Sequence, residues 1–145
     1  MADTIDVSLE LQDAAGMAFD VELPTGHHVL MDAGEDHGGQ DLGPRPMHML
    51  LASLAGCTAM DVISFLRKMR QPVEGYRVEV SGLRAEEDPK VYTHVTIKHI
   101  VIGDVDEGRL ARAVELSATK YCSAQAMFRH TAEIEVTSEV RAAGD

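Results

Sequence analysis

At 145 residues with 45% hydrophobic side chains, the chain is long enough for one domain with its own core and too short for two of ordinary size. Its formal net charge of −11 is unevenly placed: residues 1–44 carry ten acids and no Lys or Arg, while the other 14 acids nearly balance all 13 bases. Such a surface repels phosphate backbones and anionic bilayers, which argues against nucleic acid and membrane as partners.

Ile5, Val7, Leu9 and Leu11 alternate with polar residues, and after the turn Asp13–Gly16 the alternation resumes at Met17, Phe19, Val21 and Leu23. This period of two predicts a β-hairpin with one buried face. Pro24 to Gly26 then turns the chain into a short third strand, His28 to Met31, and Ala33 to Gly43 reads as a polar, glycine-rich, mobile loop. Pro44 and Pro46 close that loop, and a proline at a first helical position suits a helix running to about Arg70. Strand patterns follow at Tyr76 to Val80 and Val91 to Ile102, separated by the charged turn Ala85 to Lys90. Asp104 or Asp106 can cap a helix with Leu110, Ala113, Val114, Ser117 and Tyr121 on one face, and Ile134, Val136 and Val140 predict a last strand. Hairpins with helices set between them predict one domain over residues 1–145, of α+β class with antiparallel or mixed sheets packed on a long central helix.

That helix is apolar nearly all round from Met47 to Leu66, so it must be covered on every side. One sheet covers one face, and a second copy of the chain is the simplest supplier of the rest, which predicts a homodimer. His48, Asp61 and the trailing Arg67, Lys68 and Arg70 argue against a bilayer span. The polar residues Ser53, Cys57, Asp61, Ser64 and Lys68 recur at helical spacing and form one stripe. Cys57 lies on it, and Cys122, the only other cysteine, falls where the later helical pattern breaks. Two thiols with no basic, apolar leader point to a reducing cytoplasm. Pattern alone leaves Cys57 open between a small packing residue and a nucleophile.

The histidines offer less. His27, His28 and His37 with Asp32, Glu35 and Asp36 match no metal-ligand spacing. His94 and His99, an odd number apart, point to opposite faces of one strand and cannot share a ligand. Numerous methionines, among them Met17, Met60 and Met127, are expected to fill a core poor in aromatic rings.

The stretch Gly43-Pro-Arg-Pro-Met47 through Leu-Leu-Ala-Ser-Leu-Ala-Gly-Cys57-Thr-Ala-Met-Asp61, with Lys120-Tyr-Cys122-Ser, resembles the OsmC/Ohr family of thiol-dependent hydroperoxide reductases, and within it the YhfA-like branch. The resemblance implies an intertwined homodimer and a peroxidase of oxidative-stress defence. In it Cys57 attacks an organic hydroperoxide, Cys122 resolves the product as a redox-active disulfide, and a dithiol reductant restores both, with no metal or organic cofactor. Active members place an arginine from the early strands and a glutamate ten residues before the first cysteine, the cation favouring the thiolate. Here no arginine precedes Arg45, Met47 stands ten before Cys57, and His48 stands nine before, where the YhfA-like branch has glutamate. Arg45, His48 and Asp61 are the auxiliary candidates. On one straight helix Arg45 lies ~18 Å and His48 ~14 Å from Cys57, so neither reaches it within one helix, and a partner subunit is what could bring either in. The alternative to a peroxidase is a dimer of the same fold that binds a small apolar or thiol-containing molecule.

Overall fold

The computed structural model describes residues 2–144, and the chain divides into two compact units, Met1–Leu50 and Leu51–Asp145. In the first, β1 (Ser8–Leu11), β2 (Phe19–Glu22) and β3 (His28–Met31) form an antiparallel sheet in that order. Leu9 faces Val21, Leu11 faces Phe19, and Phe19 faces Met31, so the alternating apolar residues do gather on one face. That face was expected to be buried. Within this chain only Val21 of it is; Leu9, Leu11 and Phe19 are 50, 42 and 38% exposed.

The loop after β3 is hydrogen-bonded throughout. Asp32, buried to 3% exposure, accepts the backbone N–H groups of Ala33, Gln40 and Leu42, and Glu35–His37 forms a single 3-10 turn. Burial acts to raise the Asp32 carboxyl, but the three amides and the Arg45 charge outweigh it and hold it below the ordinary carboxylate range. One carboxylate thus supplies the fixed points that composition suggested were missing.

α1 (Pro46–Lys68) begins on its proline as expected. It ends in a Schellman motif: Arg70 adopts the left-handed conformation (φ 57°), its N–H donates to the Arg67 carbonyl, and the Gln71 N–H donates to that of Leu66. Pro72 prevents any continuation. α1 is long and apolar enough to cross a membrane by length and composition, yet it serves as a core helix, with Leu54, Thr58, Val62 and Leu66 buried at successive steps of four.

The second unit is built on a mixed sheet in which β5 (Tyr92–Gly103) lies between β4 (Val73–Arg84), antiparallel to it, and β6 (Glu133–Arg141), parallel to it. The parallel strand requires a crossover, which α2 (Glu107–Leu116), a π-helical turn over Ser117–Tyr121, and α3 (Ser123–Phe128) supply. Asp106 caps α2 by accepting the Arg109 N–H at 2.9 Å. Val62 and Leu66 of α1 pack with Val101 of β5, Val105, and Leu110, Ala113 and Val114 of α2. Burying each such side chain contributes about 1.5–3 kcal/mol before entropy is counted. Met17, Met60 and Met127 take no part: they are 45, 72 and 75% exposed. His94 and His99 do point to opposite faces, His94 to Glu135 at 3.2 Å and His99 fully into the core.

Candidate thiol site

The site lies in the second unit, where α1 meets the 117–125 segment. Cys57 sits half-buried on α1, and Cys122 is buried at the junction of the π turn and α3. Both are free thiols, and Cys57 lies near enough to Cys122 to help raise its thiol. Two residues 65 apart in sequence are thereby brought together.

Local structure explains the placement of Cys122. The Cys122 N–H donates to the Ser117 carbonyl at 2.8 Å, five residues back, which is the bond of a π turn. The wider turn also moves Tyr121 off the face shared by Leu110, Ala113, Val114 and Ser117. Tyr121 is 48% exposed and rests on the Phe65 ring at 5.3 Å, correcting the expectation that it continues the buried stripe. With extended backbone (φ −76°, ψ 102°), Cys122 then caps α3, its sulfur accepting the Gln125 N–H at 3.3 Å. α3 was absent from the sequence reading. Its signal was Cys-x-x-Gln straight after a helical break, the spacing of a capping box with sulfur in place of the usual hydroxyl.

Burial pushes the Cys122 thiol up to about 11; the Gln125 N–H opposes this, and the Cys57 contact and the Asp61 charge add to it. Cys122 is therefore a protonated thiol at neutral pH. Around the pair runs a set of fully buried polar side chains: Thr58, Ser117 and Gln125. Thr58 and Ser117 hydroxyls are 2.8 Å apart, Ser117 Oγ donates to Asp61 Oδ2 at 2.9 Å, and Gln125 Nε2 donates to Thr58 Oγ1 at 3.1 Å. None of these three was singled out as part of the site from the sequence. On the adjoining inner face of the sheet the Tyr76 hydroxyl lies 2.6 Å from His99 Nδ1, and burial followed by the Asp61 charge raises the Tyr76 phenol.

Of the auxiliary candidates, Asp61 joins the cysteine pair. Arg45 bonds to Asp41 and to the Gly43 carbonyl within the first unit, and His48 is exposed on the first turn of α1. His27 and His28 bond Thr25 and Asp20 on the small sheet.

A pair of neighbouring free thiols, one on the long helix and one at the crossover of a mixed sheet, defines an α+β dithiol protein. Residues 38–137 match the OsmC-like protein family, and the chain belongs to that family. It is 41% identical over 129 residues to Protein YhfA of Escherichia coli strain K12, covering 88% of this chain and 93% of that one. A hypothetical protein from Aquifex aeolicus has the same fold, with TM-score 0.85 and 33% identity over 97% of this chain and 98% of its own. The fold is shared with an organic hydroperoxide resistance protein of Legionella pneumophila at TM-score 0.65 and 14% identity, over 97% and 99% of the two chains.

Proposed function

We propose that this protein is a thiol-dependent peroxidase that reduces organic hydroperoxides through Cys57 and Cys122 and acts in oxidative-stress defence in a reducing compartment. The proximity of the two free thiols carries the reading, because a disulfide requires a short approach that unrelated cysteines rarely meet. The Cys57 thiolate attacks the distal peroxide oxygen, the O–O bond breaks, and the alkoxide leaves as the alcohol after taking a proton. Cys57 is left as sulfenic acid. The Cys122 sulfur attacks it, the S–O bond breaks, and the hydroxyl leaves as water with the Cys122 proton. A dithiol then reduces the disulfide by exchange. Membership in a family that includes a hydroperoxide resistance protein supports the substrate class.

The active form in this reading is a homodimer. The exposed Leu9, Leu11 and Phe19 face, and Leu50 and Met60 on α1 at 46 and 72% exposure, are apolar surface that a second copy would cover.

One observation favours the alternative, a dimer binding a small apolar or thiol-containing ligand. The charge acting on Cys122 is the Asp61 anion, which opposes a thiolate there. Consumption of cumene hydroperoxide in the presence of a dithiol separates the two. The peroxidase reading expects turnover that Cys57→Ser abolishes; a wild-type rate no faster than the dithiol alone defeats it.

A further inference from the structure

The polar side chains beside the cysteines form one directed chain. Arg129 Nη2 donates to Gln125 Oε1 at 3.1 Å, which fixes the amide with its Nε2 toward Thr58. Ser117 gives its single hydroxyl proton to Asp61, so Thr58 must be the donor in the Thr58–Ser117 bond. Every group from the Arg129 cation to the Asp61 anion donates in the same direction, an arrangement in which successive bonds polarise one another. Asp61 is the terminal acceptor. Without it the buried Ser117 hydroxyl keeps only Thr58 as a side-chain partner, and the order of donors along the chain is no longer specified.

Three members of this chain also adjoin or bond a cysteine. Thr58 follows Cys57 directly on α1. Ser117 contributes the carbonyl that accepts the Cys122 N–H, and Gln125 contributes the N–H that the Cys122 sulfur accepts. The bonds Thr58–Ser117, Asp61–Ser117 and Gln125–Thr58 therefore tie the segment carrying one thiol to the segment carrying the other, beside the Phe65–Tyr121 ring contact.

We propose that Asp61 is the positioning residue of the thiol pair: through Ser117 it holds the 117–122 turn on α1 and so keeps Cys122 on Cys57 for the resolving step. The inference deepens the peroxidase reading and takes its chemistry from it, namely attack of Cys122 sulfur on Cys57 sulfenic acid with release of water. It also gives Asp61 a use in a site where its charge raises the Cys122 thiol. When the resolver is misplaced, the sulfenic acid outlives the first turnover and meets a second peroxide, becoming sulfinic acid.

A time course of oxidation with excess cumene hydroperoxide, read by mass spectrometry of non-reduced peptides, tests it. Wild type yields the 57–122 disulfide. Asp61→Ala slows disulfide formation about tenfold to a hundredfold, the range expected for a reacting group displaced by a fraction of an ångström to 1 Å, and Cys57 sulfinic acid accumulates. Asp61→Asn retains a side-chain oxygen for Ser117 and restores most of the rate. Wild-type disulfide rates in Asp61→Ala overturn the proposal, and so does an Asn variant as slow as the Ala variant, since charge and not position would then be at work. Ser117→Ala severs the same tie from the other side and gives the same slowing should Asp61→Ala fail to fold. Oxidised dithiothreitol forms the same disulfide without peroxide chemistry. The ranking of variants under it decides the positioning role even where the wild type consumes no hydroperoxide, a result that would sink only the peroxidase reading.

Discussion

The two units of the chain solve opposite problems. The small antiparallel sheet lines up its apolar residues in register and leaves them in water, at 38 to 50% exposure for Leu9, Leu11 and Phe19. The second unit closes its core completely: Val62, Leu66, Val101 and Ala113 have no exposed surface. The charge follows the same division, with ten acids and no Lys or Arg in residues 1–44. An amphipathic pattern specifies which face is apolar and says nothing about what covers it. The second unit covers its own face with a crossover; the first has only three short strands.

The largest difference is expected from truncating one apolar residue in each. Leu66→Ala, at full burial, costs about 2–5 kcal/mol, read as a lowered urea midpoint with unchanged slope. Leu11→Asp leaves that midpoint nearly unmoved in dilute protein and instead converts the proposed dimer to monomer in light scattering. Equal losses of stability from the two substitutions would erase the contrast, and a wild-type monomer at micromolar concentration would remove its explanation.

Next in size is the pair of histidines, which titrate in opposite directions. Burial pushes His99 down to about 4, whereas the unfolded chain protonates it near 6.5. A depressed pKa of this kind contributes stability that is complete above pH 6.5 and lost as pH falls through 4, in total on the order of 3 kcal/mol. His99→Leu is expected to flatten the stability profile between those values; an unchanged acid limb would refute the assignment.

The smallest effect belongs to His28, held above its ordinary value first by its hydrogen bond to Asp20 and then by that carboxylate's charge, with Glu22 adding to it. The sign is reversed: the pair stabilises below pH 6.5, and its contribution disappears as pH rises through the folded-state value. The pair is solvent-exposed, so the measurement is an NMR titration of the ring, which Asp20→Asn should return toward 6.5. A titration indifferent to that substitution would show that the hydrogen bond is not what raises it.

Much of this protein was decided within short stretches of sequence. Alternation at Phe19 to Val21 and Tyr76 to Val80, Pro46 at the start of α1, Asp106 before α2 and the odd spacing of His94 and His99 all act over a few residues, so periodicity and capping chemistry reveal them directly. The motifs around Cys57 and Cys122 likewise carried the family. Three other features needed the folded chain. The π turn that carries Tyr121 off the buried face arises from a change of hydrogen-bond step that no side-chain pattern marks. The parallel pairing of β6 with β5 follows from the crossover, since the strand pattern is the same for either direction. The chain of bonds from Gln125 to Asp61 joins residues 56 to 67 apart, each an ordinary Thr, Ser, Asp or Gln by itself. Local propensity acts along the backbone, while the partners of a buried polar group are set by packing across it, and only the tertiary structure brings those partners within hydrogen-bond reach.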